Sequence, residues 1–135
     1  MTPRYLLDTN ICIAYKKAKP GVPERIDALP PGQAVMSVIT WGELVLGAEK
    51  SQQRTRSLEI LARVRAIIPV IGVDERVGTR YGAIRGELEK AGRIIGPNDL
   101  WIAAHAEALG ITLVTNNTGE FDRVSGLTLE DWTTP

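Results

Sequence analysis

Tyr5-Leu6-Leu7-Asp8-Thr9-Asn10 decides how the rest of the chain is read. A short apolar run stops at a carboxylate, a hydroxyl and an amide, and a second apolar stretch, Ile11-Cys12-Ile13-Ala14, follows at once. In an α/β protein this pattern is the first buried strand, with Asp8 at its C-terminal end. Open parallel sheets bind their ligands at that end. Asp is equally a favoured helix N-cap, so Asp8 acquires a functional meaning only if the chain supplies it with partners.

Working outward, apolar runs alternate with helical periodicity. The segment after Asn10 reads as a helix to about Lys19, broken by Pro20-Gly21, and Pro23–Leu29 is a short helix with proline near its start. Ala34–Ser37 is a second buried strand. Thr40-Trp41-Gly42-Glu43 then opens a helix running through Ala48, and a further helix carries Leu58, Leu61, Ala62 and Val64. Ile67–Ile71 is a third apolar run, and Pro69 within it predicts an edge strand. Asp74 to about Ala91 is the longest helical pattern, with Val77, Tyr81, Ile84 and Leu88 three and four residues apart. Gly78, Gly82 and Gly86 line one side of it, where another backbone can approach closely. Gly96-Pro97 opens a helix to about Leu109 with Gly110 as its cap. Ile111–Val114 is a strand, Glu120–Arg123 a turn, and Leu127–Leu129 a last small strand. Strands alternating with helices predict a mainly parallel sheet of four to five short strands, covered on both faces. One domain over residues 1–135 is expected.

The 16 basic residues balance the 16 acidic ones, which excludes a general polyanion-coating protein and leaves nucleic-acid contact to a local basic face. Arg76, Arg80, Arg85, Lys90 and Arg93 on and beyond the Asp74 helix form such a candidate, or else an ordinary solvated face. The single cysteine, Cys12, suits a reducing compartment. No apolar run approaches the ~20 residues of a membrane span, and Asp8 comes too early for a signal peptide's apolar region. A cytoplasmic protein is expected.

Three carboxylates share one kind of position. Asp8 ends the first strand, Glu43 lies in the first turn of the helix after the second strand, and Asp99 lies in the first turn of the helix before the Ile111 strand. Right-handed crossovers place helix N-termini beside the C-terminal ends of parallel strands, so all three can meet on one edge of the sheet. Asn116, Asn117 and Glu120 follow the last buried strand and can reach the same edge. Hard oxygen donors without supporting His or Cys suit Mg²⁺ or Mn²⁺ rather than zinc, and an acidic cup with such an ion is suited to phosphodiester chemistry. Each acid also has a purely architectural use. Asp8 can cap a helix, Thr40-x-x-Glu43 matches a capping box, and Asp99 suits the positive end of a helix dipole. His105 and Cys12 lack a third partner for catalysis or metal binding, and Trp41, Trp101 and Trp132 read as packing residues.

Leu6-Leu7-Asp8-Thr9-Asn10, Ser37-Val38-Ile39-Thr40-Trp41-Gly42-Glu43-Leu44, Gly96-Pro97-Asn98-Asp99 and Leu113-Val114-Thr115-Asn116-Asn117-Thr118-Gly119-Glu120-Phe121 together resemble the successive motifs of PIN-domain ribonucleases. More narrowly, they resemble the VapC toxins of bacterial type II toxin–antitoxin modules. The resemblance runs from Asp8 nearly to Trp132. It implies a three-layer α/β/α fold, a homodimer, Mg²⁺- or Mn²⁺-dependent endoribonuclease activity and a small VapB-like antitoxin. It implies Asp8, Glu43 and Asp99 as the acidic triad, with Asp8 and Asp99 as direct metal ligands. Glu120 is the candidate fourth acid, because the last turn carries the amides Asn116 and Asn117. Thr9 and Asn10 are expected to hold Asp8, and Thr115, Asn116 and Asn117 to line the site or meet substrate. Initiator tRNA, cut in the anticodon loop, is the suggested substrate. Two other classes compete: an aspartyl-phosphate phosphatase with Asp8 as nucleophile, and a non-catalytic dimeric binding module.

Overall fold

The computed structural model describes residues 2–134, so Met1 and Pro135 of the expected domain lie outside the described residues. Five strands carry the sheet: β1 (Tyr5–Leu7), β2 (Ala34–Ser37), β3 (Val70–Ile71), β4 (Thr112–Val114) and β5 (Leu129–Glu130). They are ordered β3-β2-β1-β4-β5 and every neighbouring pair is parallel. Seven helices surround them: α1 (Thr9–Lys16), α2 (Val22–Asp27), α3 (Val38–Glu49), α4 (Arg54–Ile67), α5 (Glu75–Ala91), α6 (Pro97–Leu109) and α7 (Thr118–Phe121).

The strand sequence explains why both faces are covered. Successive side chains alternate between the faces, and in each central strand both faces are apolar. Leu7, Met36 and Val114 enter one core with residues of α1 to α4, such as Ile11, Val22, Leu44 and Leu61. Leu6, Val35 and Leu113 enter the other with residues of α5 to α7, such as Val77, Ile84, Leu100 and Phe121. The result is the expected three-layer α/β/α arrangement.

Glycine and aspartate set the helix ends. The Asp74 side chain accepts hydrogen bonds from the amides of Arg76 (3.0 Å) and Val77 (3.3 Å) at the start of α5. Gly92 and Gly110 end α5 and α6 in the left-handed region, at φ 66° each, a conformation that costs glycine little. Pro69 lies just before the edge strand β3, where its missing N–H breaks no ladder bond; its carbonyl instead accepts from the Met36 amide at 2.9 Å.

Several boundaries differ from the sequence expectation. Helix α1 stops at Lys16, and Ala18 takes a positive φ of 53°, so Lys19 is outside it. Helix α3 begins at Val38, two residues before the expected Thr40, because the Ser37 hydroxyl caps it by accepting from the Ile39 amide at 3.1 Å. The turn after β4 is a one-turn helix, α7, and the last strand sits at Leu129–Glu130 rather than Leu127–Leu129. The glycines of α5 do not serve a close helix approach within the chain. A Cβ at Gly78, Gly82 or Gly86 would meet no atom within 4 Å, because α5 turns Val77, Ile84 and Leu88 to the core instead.

Candidate active site

Sheet order places the site. The chain runs outward from β1 to β2 and β3, then crosses back to β4 on the other side of β1. Where strand order reverses in this way, the loops at the strand C-termini separate and leave a crevice. Asp8 follows β1 and Thr115 follows β4, and the register Leu7↔Val114 makes them neighbours. The Thr115 hydroxyl donates a short hydrogen bond to Asp8 Oδ2, and the Ile11 amide donates to Asp8 Oδ1 at 3.1 Å. Asp8 is therefore both the N-cap of α1 and the floor of the crevice, and it is only 4% exposed. Burial pushes its carboxyl above the usual range, opposed by the hydrogen bonds from Thr115, Ile11 and Asn10 and reinforced by the charge of Glu43.

Glu43 reaches the crevice from the second turn of α3, not the first as expected, since the helix starts at Val38. The capping box with Thr40 does not form. Thr40 is fully buried and its hydroxyl meets that of Thr9 at 3.2 Å, while Thr9 donates to Glu43 Oε1 at 2.7 Å. Thr9 thus holds Glu43 rather than Asp8. Asn10 contributes its backbone to Asp8 and points its side chain to Asn116 Oδ1, 3.5 Å away.

Asp99 lies in the first turn of α6, after Gly96 and Pro97. Its carboxyl is pushed up from 3.8 to about 6, first by partial burial and then by the charges of Glu120, Asp8 and Glu43. Glu120, on α7, is held from two sides. The Gly96 amide donates to Oε1 at 3.2 Å and the Asn117 side chain donates to Oε2 at 2.7 Å. Asn117 is itself placed by its backbone amide, which donates to Thr115 Oγ1 at 2.9 Å. All four predicted acids therefore share one crevice, with Thr9, Thr115 and Asn117 as their polar struts.

The cluster carries no internal compensation. Among the described residues, Asp8, Glu43, Asp99 and Glu120 make no ion pair with Lys or Arg. Nor is it a closed coordination shell: no three His, Cys, Asp or Glu side chains among the described residues are gathered tightly enough to hold an ion as they stand. Donor chemistry is what fits. Four carboxylates whose charges push the Asp8 and Asp99 carboxyls up, with no ion pair to Lys or Arg among the described residues and no His or Cys in the crevice, suit a hard divalent ion.

The other sequence candidates lie elsewhere. Cys12 is buried, and burial followed by the charge of Asp8 raises its thiol far above the ordinary value, which makes it inert. His105 is buried in α6 with Nδ1 2.8 Å from Ser37 Oγ. Trp132 packs edge-on to Tyr5 at 5.0 Å and Trp101 stacks on Tyr81 at 3.9 Å. Three of the five basic residues on and beyond α5 are turned onto neighbours, Arg76 to Asp74 (3.5 Å), Arg80 to Glu107, and Arg85 to Glu89 (2.8 Å), while Lys90 and Arg93 are exposed. The Thr9–Thr40 contact and the Gly96 amide were not expected from sequence. Gly96 gave no signal beyond opening a helix.

A family model described as PIN domain matches residues 5–127, and the chain belongs to that family. Within it, the relatives are VapC ribonucleases. The chain is 46% identical over 130 residues to the tRNA(fMet)-specific endonuclease VapC of Shigella flexneri, covering 96% of this chain and 98% of that one. It is 41% identical over 131 residues to ribonuclease VapC1 of Haemophilus influenzae strain R2866, with the same coverage of 96% and 98%. In three dimensions it is similar to the crystal structure of DNA-bound VapBC from Salmonella typhimurium, with a TM-score of 0.92 and 39% identity over 97% of this chain and 99% of that chain.

Proposed function

We propose that this protein is the toxin of a type II toxin–antitoxin module and acts as a metal-dependent endoribonuclease that hydrolyses RNA phosphodiesters. The observation that carries the reading is the meeting of Asp8, Glu43, Asp99 and Glu120, from the β1–α1 junction and from α3, α6 and α7, with no Lys or Arg paired to any of them among the described residues. Asp8 and Asp99 would hold Mg²⁺ or Mn²⁺, with Glu43 beside them. Such an ion, when bound, neutralises the phosphate and leaving oxygen and lowers the pKa of water.

The chain's own groups supply orientation and proton transfer. The Thr115 and Ile11 bonds fix both Asp8 oxygens, so this carboxylate is preorganised rather than mobile. Thr9 occupies Glu43 Oε1, which leaves Oε2 to orient or deprotonate the attacking water. Glu120, tied to Gly96 and Asn117, closes the rim beside Asp99. Water attacking in line leaves 5′-phosphate and 3′-hydroxyl ends.

The printed name of the Shigella relative makes initiator tRNA the first substrate to test. Several solved relatives are VapBC structures, among them one from Rickettsia felis bound to a promoter DNA fragment and one from Haemophilus influenzae, which supports a VapB-like antitoxin as partner. A homodimer in the cytoplasm completes the proposal. The test is purified protein with RNA and Mn²⁺, followed by end analysis. Recovery of 2′,3′-cyclic phosphates refutes the water mechanism, and a fully active Asp99→Asn variant refutes the site.

A further inference from the structure

His105 is a buried imidazole that the proposed chemistry does not use. It is 1% exposed, and its neighbours along α6 are Ile102, Ala103, Ala104 and Ala106, all buried. Its polar contacts are the Ser37 hydroxyl, 2.8 Å from Nδ1, and the backbone of Gly72. Ser37 is itself 0% exposed, and its oxygen already accepts the Ile39 amide that begins α3. Burial holds the ring's pKa below its usual value, with the Asp74 charge and a hydrogen bond to the Gly72 backbone opposing. A neutral ring with its proton on Nε2 leaves Nδ1 to accept from Ser37. The chain of bonds is then Ile39 N–H to Ser37 Oγ, and Ser37 O–H to His105 Nδ1.

This chain joins two of the helices that bring acids to the crevice, α3 and α6. Glu43 lies six residues beyond Ser37 (43 − 37) along α3, and Asp99 lies six residues before His105 (105 − 99) along α6. At 1.5 Å per residue each acid is about 9 Å along its helix from the tie, and the two helices pack against each other. A shift at the tie is carried along rigid helices to both carboxylates. Thr9 fixes Glu43 towards α1, but nothing in that contact fixes it towards α6. A leucine would fill the same space without burying a polar ring, so packing alone does not account for a histidine here.

We propose that His105 is a positioning residue: through the Ser37 hydroxyl it locks the start of α3 to α6 and so sets the separation of Glu43 and Asp99. The inference rests on the nuclease reading of the crevice.

The test compares His105→Leu, His105→Asn, Ser37→Ala and Asp99→Asn in one RNA-cleavage assay, with folding checked by circular dichroism. His105→Leu is expected to keep KM within about twofold and to lose about 10- to 100-fold in kcat, the scale of a misplacement near 1 Å. Asn keeps a polar group at the Nδ1 position and is expected to restore most of that loss. Hydrogen exchange at the Ile39 amide, followed by NMR, should quicken in His105→Leu and not in His105→Asn. A folded His105→Leu enzyme with wild-type kcat, or an Asn variant no better than Leu, overturns the inference. If His105→Leu does not fold, Ser37→Ala decides, since an unchanged kcat there overturns it equally. An inactive Asp99→Asn beside a normal His105→Leu rejects this inference alone, whereas an active Asp99→Asn rejects the reading of the crevice.

Discussion

Replacing Asp99 by Asn should remove catalysis and at the same time make the protein more stable near neutral pH. The folded state holds the Asp99 carboxyl at about 6, against 3.8 as the ordinary value. Between those two values the native state binds more protons than the unfolded state, so stability falls as pH rises through that window. Above pH 6 the whole penalty is present; below 3.8 it is gone. A shift of roughly two units is worth about 3 kcal/mol in a dry site. Asp99 is only partly buried, and solvent screening reduces that to about 1 kcal/mol. For a chain of this length that is a rise of about 3 to 6 °C in Tm. Asn carries no charge, so its advantage should be full at pH 7.5 and should vanish near pH 4. Thermal unfolding of wild type and Asp99→Asn, in chelator-treated buffer across that range, measures it. An advantage that is absent at pH 7.5, or that persists undiminished at pH 4, refutes the account of strained carboxylates. If Asp8 and Asp99 hold the proposed ion, the variant's extra stability should shrink again when Mn²⁺ is added, because an ion bound more tightly by the wild type would stabilise it more.

Thr9→Val removes the donor to Glu43 Oε1 and should slow RNA cleavage by about tenfold or more, with a stability loss of about 1 kcal/mol because the buried Thr40 hydroxyl loses its partner; an unchanged rate would show that Glu43 needs no such anchor. Asp8→Asn keeps an oxygen for the Ile11 amide, whereas Asp8→Ala loses the cap. Both should be inactive, with the Ala variant less stable by about 1 kcal/mol, and equal Tm values would contradict the capping role. Gly82→Ala adds a methyl where no atom lies within 4 Å and should stabilise α5 by up to about 1 kcal/mol. A loss of stability in denaturant melts would mean that this face is covered by something other than solvent.

The parts legible in sequence are those with local causes. Asp74, Gly92, Gly96-Pro97 and Gly110 punctuate α5 and α6 by capping chemistry that acts over a few residues, and both helices lie where periodicity puts them. The start of α3 lies two residues before the one its sequence suggests, for an equally local reason. Val38 and Ile39 are β-branched residues directly after the apolar Ala34–Met36, so they extend the look of a strand, and the single hydroxyl of Ser37 that ends it is easily passed over. Starting at Val38 rather than Thr40 moves Glu43 half a helical turn further into α3 and leaves Thr40 without a capping role. Convergence of the acids was legible only as a rule about where helices start relative to strands. Which acid is held by which hydroxyl depends on strand order, because Thr115 meets Asp8 only when β4 lies beside β1. The one-turn α7 is too short for periodicity to register.

The hydrogen bond between Asp8 and Thr115 spans 107 positions of the chain, and this has a consequence for timing. Synthesis proceeds from the N-terminus, so Asp8, Glu43 and Asp99 have all been made before β4 exists. Until that strand slots in beside β1, Asp8 has no Thr115, and Glu120 and its Asn117 strut are missing altogether. A growing chain is therefore expected to lack an assembled site until its last fifth is made, from Thr112 onward. A fragment ending at Gly110 is expected to leave the growth of an expressing host unchanged, although it contains three of the four acids.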